Sequence, residues 1–224
     1  MRQLWDSDQV AQLHISELDP FAVRAAGRQR LRLVVRQLSD GSFVTMPAAV
    51  LSDGRDSPRM VLVAGQHGDE WNGPWILHRL ANLLNPDEVH GTLVILPITN
   101  PLAFNEGRRV SAVDSIDLNR SYGGGRPRKP TEHLGALLWK SVFSRTDYLI
   151  DLHSGGPGEY LPFAAPAASG PSGSWPGRSA CSPGPGANRC RAGVEKMCSS
   201  ERRSRASASM VVGILLPDKQ FSRY

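Results

Sequence analysis

Met60-Val61-Leu62-Val63-Ala64-Gly65-Gln66-His67-Gly68-Asp69-Glu70 runs from five apolar residues through a glycine into a polar turn. A continuous apolar run of that length fits the middle of a parallel sheet, where both faces are covered. The residues that follow, 70–84, carry a helical pattern. Asp69 is placed to cap that helix, and Pro74 falls in the first turn, where its missing N–H has no partner to lose. Trp75, Ile76, Leu80, Leu83 and Leu84 form the expected inward stripe, and Asn85-Pro86 ends the element.

Outward from this unit the pattern repeats. Residues 30–38 and 42–51 flank the turn Ser39-Asp40-Gly41 as a hairpin, and Pro47 places the return strand at an edge or a bulge. Residues 91–97 are a second buried strand, 100–129 a polar loop, 131–143 a helix capped by Thr131 with Leu134, Leu137, Leu138 and Val142 inward, and 148–152 a third strand. Residues 1–28 are a mixed opening with one small apolar cluster. Alternating strands and helices predict an α/β fold with a mostly parallel mixed sheet flanked by helices. In such sheets ligands bind off the carboxyl ends of the strands.

After residue 163 the composition changes: no Leu, Ile or Phe occurs between 164 and 213, and Arg, Ser, Gly, Pro and Cys arrive together. Such a stretch buries too little apolar surface to offset ordering entropy, so 164–224 is expected to be a disordered, low-complexity tail behind a domain at 1–163. Met210-Val211-Val212-Gly213-Ile214-Leu215-Leu216 is an apolar remnant within it, placed to pack as an added strand. The tail also holds the basicity. Nine Lys/Arg and three Asp/Glu lie from 164 onward, leaving seventeen basic and eighteen acidic residues in the rest, out of a net +5. The body is thus nearly neutral, without the basic stripe of a specific nucleic-acid binder. Cys181, Cys190 and Cys198 are spaced nine and eight apart and read as unpaired thiols. No run of about eighteen apolar residues occurs, and the opening Met1-Arg2-Gln3-Leu4-Trp5-Asp6 lacks the apolar stretch of a signal peptide. A soluble, cytoplasmic protein without a membrane partner is expected.

His67 and Glu70 are three residues apart at the first strand's end, and His153 closes Asp147-Tyr148-Leu149-Ile150-Asp151-Leu152-His153. Imidazole nitrogen and carboxylate oxygen together suit one zinc ion, and three protein ligands leave a fourth position for water. Each residue alone also fits a plain turn or strand-end role. Asp151 faces the same side of its strand as His153, as an orienting acceptor or a fold-stabilising one. Asn119-Arg120 offers an amide and a guanidinium fork for a carboxylate, and Arg108-Arg109 a positive group for a developing oxyanion. His14, His78, His90 and His133 have no comparable setting. Ser154 is not within a Gly-x-Ser-x-Gly elbow, and no phosphate-cradling glycine loop occurs.

Taken in order, His67-Gly68-Asp69-Glu70, Asn100-Pro101-Leu102-Ala103-Phe104, Gly107-Arg108-Arg109, Asp117-Leu118-Asn119-Arg120 and Asp151-Leu152-His153-Ser154-Gly155-Gly156 resemble the succinylglutamate desuccinylase/aspartoacylase family of the zinc-carboxypeptidase clan. The resemblance covers roughly residues 30–163. It implies a zinc-carboxypeptidase-like fold and one zinc ion on His67, Glu70 and His153. It implies that Asn119 and Arg120 hold the carboxylate of a small substrate and that Arg109, which follows a Gly-x pair, polarises the scissile carbonyl. The reaction implied is amide hydrolysis of an N-acylated amino acid or a related small carboxylate. A peptide carboxypeptidase would use the same clamp, and a metal-binding fragment without turnover is the other alternative.

The family also implies a catalytic glutamate on a later strand, and no residue here matches it. Glu159 is too close to His153, and Glu195 and Glu201 lie in the low-complexity stretch. The fold is therefore expected to be incomplete at its C-terminal side, with exposed sheet edges prone to aggregation, and 164–224 to be translated out of frame or foreign. Translating the coding DNA from codon 150 onward in all three frames tests this. Another frame should restore Leu/Ile/Val-rich strands with a glutamate among them; if none does, the tail is genuine.

Overall fold

The apolar run that begins at Met60 lies in the middle of a single twisted sheet. A computed structural model of the chain describes residues 10–19, 21, 26–55, 57–122 and 126–154, with two further strands at 164–166 and 210–215. In chain order the elements are β1 (Ala11–His14), β2 (Gly27–Gln37), β3 (Phe43–Ser52), β4 (Arg59–Ala64), α1 (Asn72–Leu83), β5 (Thr92–Leu96), α2 (Pro101–Glu106), α3 (Pro130–Ser141), β6 (Tyr148–Ser154), β7 (Ala164–Pro166) and β8 (Met210–Leu215). Short 3-10 turns, among them Leu118–Arg120 and Phe143–Arg145, link some of them. The strand order is β1-β2-β3-β5-β4-β6-β8-β7.

β4 pairs in parallel with β5 on one side and β6 on the other, Val61 standing beside both Val94 and Leu149. The chain thus leaves β4 for one neighbour and later returns to its other side, a topological switch that opens a crevice at the strands' carboxyl ends. The period-two alternation of a strand then divides the core. Val61 and Val63 join Leu134 and Leu138 of α3 on one face, while Leu62 and Ala64 join Leu77 and Ala81 of α1 on the other. Both faces of β4 are dry, as its unbroken apolar sequence requires. The expected α/β architecture, a mixed sheet with a parallel centre and flanking helices, is the one observed.

The hairpin forms as expected, β2 and β3 pairing antiparallel with a register irregularity between Val34 and Arg36. β3 meets β5 only from Ala49 to Ser52, so Pro47, opposite Arg32, lies on a stretch without a β5 partner. Four local expectations need correction. First, α1 begins at Asn72 behind Trp71, not behind Asp69, because Glu70 is drawn back into the turn by its hydrogen bonds. Second, its buried face is Gly73, Pro74, Leu77 and Ala81; of the expected stripe, Ile76, Leu80 and Leu84 pack half-buried beside that face, whereas Trp75 and Leu83 are 53% and 64% exposed. Small residues set that face: a Cβ on Gly73 would stand 2.9 Å from the Ala64 Cβ, so the helix lies close on β4. Trp75 instead has the Arg79 guanidinium 5.5 Å above its ring.

Third, the polar loop at 100–129 contains α2 and the Leu118–Arg120 turn. Fourth, α3 starts at Pro130, and Thr131 does not cap it: its N–H and hydroxyl both donate to Asp114, each at 2.8 Å. Glu132 reaches back to the Lys129 N–H at 3.0 Å instead, closing the first turn. Within the tail, the apolar remnant does add a strand, β8 pairing antiparallel to β6 from Leu149–Leu215 to Ser154–Met210. The expected disorder of 167–209 and 216–224, the three cysteines, and Glu159, Glu195 and Glu201 all lie outside the described residues. No helix among the described residues is long and apolar enough to cross a membrane.

Leu77 is 1% exposed and at the centre of the α1 face. Leu77→Ala should therefore cost about 2–5 kcal/mol in urea unfolding of the full chain. Leu83→Ala, on the solvent side of the same helix, should stay within about 0.5 kcal/mol.

Candidate metal centre

β4 delivers the site by ending where the loop after β5 can hold it. Thr99 donates to the Ala64 carbonyl from both its N–H (3.0 Å) and its hydroxyl (2.9 Å). Asn100 donates its N–H to the Gly65 carbonyl at 2.9 Å and its side-chain amide to the Gln66 carbonyl at 3.3 Å. The next turn packs on the start of α2. The Gly68 N–H donates to the Arg108 carbonyl at 2.9 Å, and a Cβ on Gly68 would fall 2.0 Å from the Ala103 carbonyl oxygen. Only glycine fits there. Gly107 closes α2 at φ 61°, left-handed backbone that glycine adopts without strain, and sends Arg108 and Arg109 back over the turn. Trp71, exposed, anchors its indole N–H on the Gly68 carbonyl at 2.8 Å.

The three residues picked out as ligands meet. His67 Nδ1 lies 2.8 Å from Glu70 Oε1, and His153 Nδ1 lies 2.9 Å from Glu70 Oε2. The two rings are 5.0 Å apart between centroids. The Ser154 N–H donates to Glu70 Oε2 at 2.9 Å, so the carboxylate on the β4 turn is bonded to the end of β6. His67 and Glu70 are buried and His153 nearly so.

Each imidazole has its other nitrogen on an aspartate. His67 Nε2 is 3.1 Å from Asp117 Oδ1, and His153 Nε2 is 2.8 Å from Asp151 Oδ2. A carboxylate only accepts, so both Nε2 atoms carry hydrogen and donate. Both Nδ1 atoms of neutral rings then turn lone pairs toward the Glu70 carboxylate. Two lone pairs and a carboxylate within 4.8 Å of one another call for a cation between them, and the set His67, Glu70, His153 could hold a metal ion. The fit is thus a matter of donor chemistry. Protons take that role when no ion is there. Burial alone would depress His153, but hydrogen bonds to Asp151 and Glu70 raise it to about 10. Burial alone would raise Glu70, yet hydrogen bonds from His153 and His67 bring it down to about 2. His67 is raised too, its bonds to Asp117 and Glu70 outweighing burial.

The other expected residues stand at the rim. Arg109, exposed, places Nη1 3.4 Å from Glu70 Oε1 and Nη2 3.8 Å from Asp117 Oδ2. Leu118, fully buried, pins the 3-10 turn to the core and leaves Asn119 and Arg120 exposed beside it. The Asn119 N–H donates to Asp117 Oδ1 at 2.9 Å, and Arg120 Nε is 3.6 Å from Asp117 Oδ2. Arg109 is therefore at the cluster, while Asn119 and Arg120 reach it through Asp117.

Three residues of the site carry no assignment from sequence reasoning. Asp117 figures in the sequence only as the first residue of Asp117-Leu118-Asn119-Arg120; it is the shared partner of His67, Arg109 and Arg120, and the His67 bond lowers its pKa. Gln66 and Tyr122 are the others: the Tyr122 hydroxyl donates to Gln66 Oε1 at 2.9 Å, and Gln66 Nε2 donates to Asp151 Oδ2. Burial, then the charges of Asp151 and Asp117, push Tyr122 well above its ordinary pKa. Only the Asp117-to-Asn119 spacing, an Asx turn, had a local signal.

Residues 56–172 match the Succinylglutamate desuccinylase/Aspartoacylase catalytic domain. The chain is 36% identical over 123 residues to the N-alpha-acetyl-L-2,4-diaminobutyric acid deacetylase of Halomonas elongata, covering 54% of this chain and 36% of that protein. It is 40% identical over 105 residues to a probable aspartoacylase of Prochlorococcus marinus, covering 43% of this chain and 34% of the relative. Among solved structures, a succinylglutamate desuccinylase from a Silicibacter species superimposes with a TM-score of 0.57 at 30% identity, covering 65% of this chain and 45% of that one. The chain thus spans about a third of the length of the curated relatives it matches.

Asp117→Ala leaves the buried His67 Nε2–H and the Asn119 N–H without their acceptor. It should cost about 1–3 kcal/mol in chemical denaturation, whereas Asp117→Asn, which keeps an acceptor oxygen, should cost clearly less.

Proposed function

This chain belongs to the succinylglutamate desuccinylase/aspartoacylase family, and from that membership we propose that it is a zinc-dependent deacylase. Its substrates are N-acyl amino acids or similar small carboxylates, cleaved at the amide bond. The observation that carries the reading is the convergence of His67 and His153 Nδ1 on the Glu70 carboxylate, with an aspartate behind each ring. Nitrogen and oxygen donors in that number favour zinc over magnesium or calcium. The relatives named as a deacetylase and an aspartoacylase support the substrate class.

A zinc ion, when bound, supplies the acidity that makes water a nucleophile near neutral pH. The chain's own residues position the ion, the carbonyl and the substrate carboxylate. Asp117 and Asp151 hold the rings in the tautomer that offers Nδ1. The Arg109 guanidinium, next to Glu70, stands where it can stabilise the negative charge that develops on a carbonyl oxygen. Asn119 and Arg120, exposed on the same rim, grip the substrate carboxylate. The glutamate that would take the proton from water has no assignment on this chain.

Metal analysis and a substrate panel test the proposal together. The purified chain should hold one zinc, lost to a chelator and absent from Glu70→Gln and His153→Ala. N-acyl amino acids should be hydrolysed in preference to short peptides. Arg109→Ala should lower kcat by roughly 10²–10³, and Arg120→Ala should raise KM about tenfold or more. Preference for peptides would point to a carboxypeptidase. Zinc without hydrolysis above buffer would leave a metal-binding chain without turnover.

A further inference from the structure

Gln66 and Tyr122 form a line of directed hydrogen bonds that ends on His153. The Tyr122 hydroxyl donates to Gln66 Oε1 at 2.9 Å, Gln66 Nε2 donates to Asp151 Oδ2, and the same oxygen accepts from His153 Nε2 at 2.8 Å. Every direction in this line is forced. The Asp151 carboxylate only accepts, so Gln66 must present its amide nitrogen, and its oxygen then faces a hydroxyl that donates. Gln66 and Asp151 are buried, and Asp151 Oδ1 has no partner among the described residues, so Oδ2 carries both bonds. The Gln66 backbone is held separately, its carbonyl accepting from Asn100.

We infer that Gln66 and Tyr122 are positioning residues for the metal centre: they fix the Asp151 carboxylate, and through it the orientation in which His153 offers Nδ1. This rests on the reading of His67, Glu70 and His153 as an ion site. Without the Tyr122 hydroxyl, Gln66 Oε1 is left without that donor in a largely dry setting, and nothing holds the far side of the amide. An amide that swings away takes its N–H from Asp151 Oδ2 and frees Asp151 and the ring behind it to shift. Gln66 and Tyr122 therefore act as one unit. Tyr122 stands two residues after the Leu118–Arg120 turn, so the unit also ties the rim that carries Asn119 and Arg120 to the far ligand.

The test is zinc affinity of the full chain, measured by competition with a chelating dye, with the cobalt(II) visible spectrum as a second readout. Gln66→Met and Tyr122→Phe keep size and remove the bonds. Each should weaken zinc binding roughly tenfold, the lower end of what losing an outer partner costs a metal site. The double variant should fall no further than either single one, and the cobalt bands of all three should shift together. Leu77→Ala, a destabilising change in the opposite core layer, is the control and should leave affinity and spectrum unchanged. Equal affinity in wild type and all three variants overturns this inference alone, as does an equal loss in Leu77→Ala. A wild-type chain that takes up no zinc overturns the ion-site reading and this inference with it.

Discussion

The carboxylate of Glu70 ties the structure together at its functional end. One buried group, on the turn after β4, accepts the Ser154 N–H of β6 and faces both histidine rings and the Arg109 guanidinium. A lone carboxylate in that environment would be strongly disfavoured, so it persists because donors and positive charge surround it. The arrangement of the elements follows from it. β4 and β6 must be neighbours in register, Ala64 beside Leu152, for His153 to stand across from the turn. The turn in turn must lie flat on α2, which the missing side chain of Gly68 permits.

Much of this framework could be read from the chain because its signals are strong and local. The unbroken apolar runs of β4 and β5 mark strands covered on both faces, and the hairpin of β2 and β3 is announced by its turn residues. The helix after β4 was legible in extent to within two residues and in orientation only in part, since Ile76, Leu80 and Leu84 do pack toward the sheet. Large apolar residues such as Trp75 and Leu83 dominate any periodicity count, whereas the face that packs is chosen by Gly73, Pro74 and Ala81, which are small enough to approach the sheet. α2 escaped notice because six residues are too few to show a helical period. Its punctuation was nevertheless present: Asn100 caps it, Pro101 opens it and Gly107 closes it.

The site divides the same way. His67 and Glu70 were legible just past the carboxyl end of β4, and His153 in the last two residues of β6, in a fold where ligands gather at the strands' carboxyl ends. Gln66, Asp117 and Tyr122 were not. Their partners are dozens of positions distant in the chain, and an amide, a carboxylate or a phenol at a loop position has no local property that announces a neighbour. β8 adds a comparable lesson at the other end: a short apolar run in an otherwise polar stretch pairs along β6 from Leu149 to Ser154, so the strand that carries His153 is flanked on both sides.

The anchoring of Trp71 has an optical consequence. Its indole is exposed to solvent, yet its N–H is fixed to the carbonyl of Gly68, two residues before Glu70, so the ring moves with the turn rather than independently of it. Indole emission responds to the polarity and charge around the ring. Nature has thus placed one of the chain's five indole fluorophores on the shoulder of the cluster, where its emission responds to the turn's own electrostatics as well as to solvent.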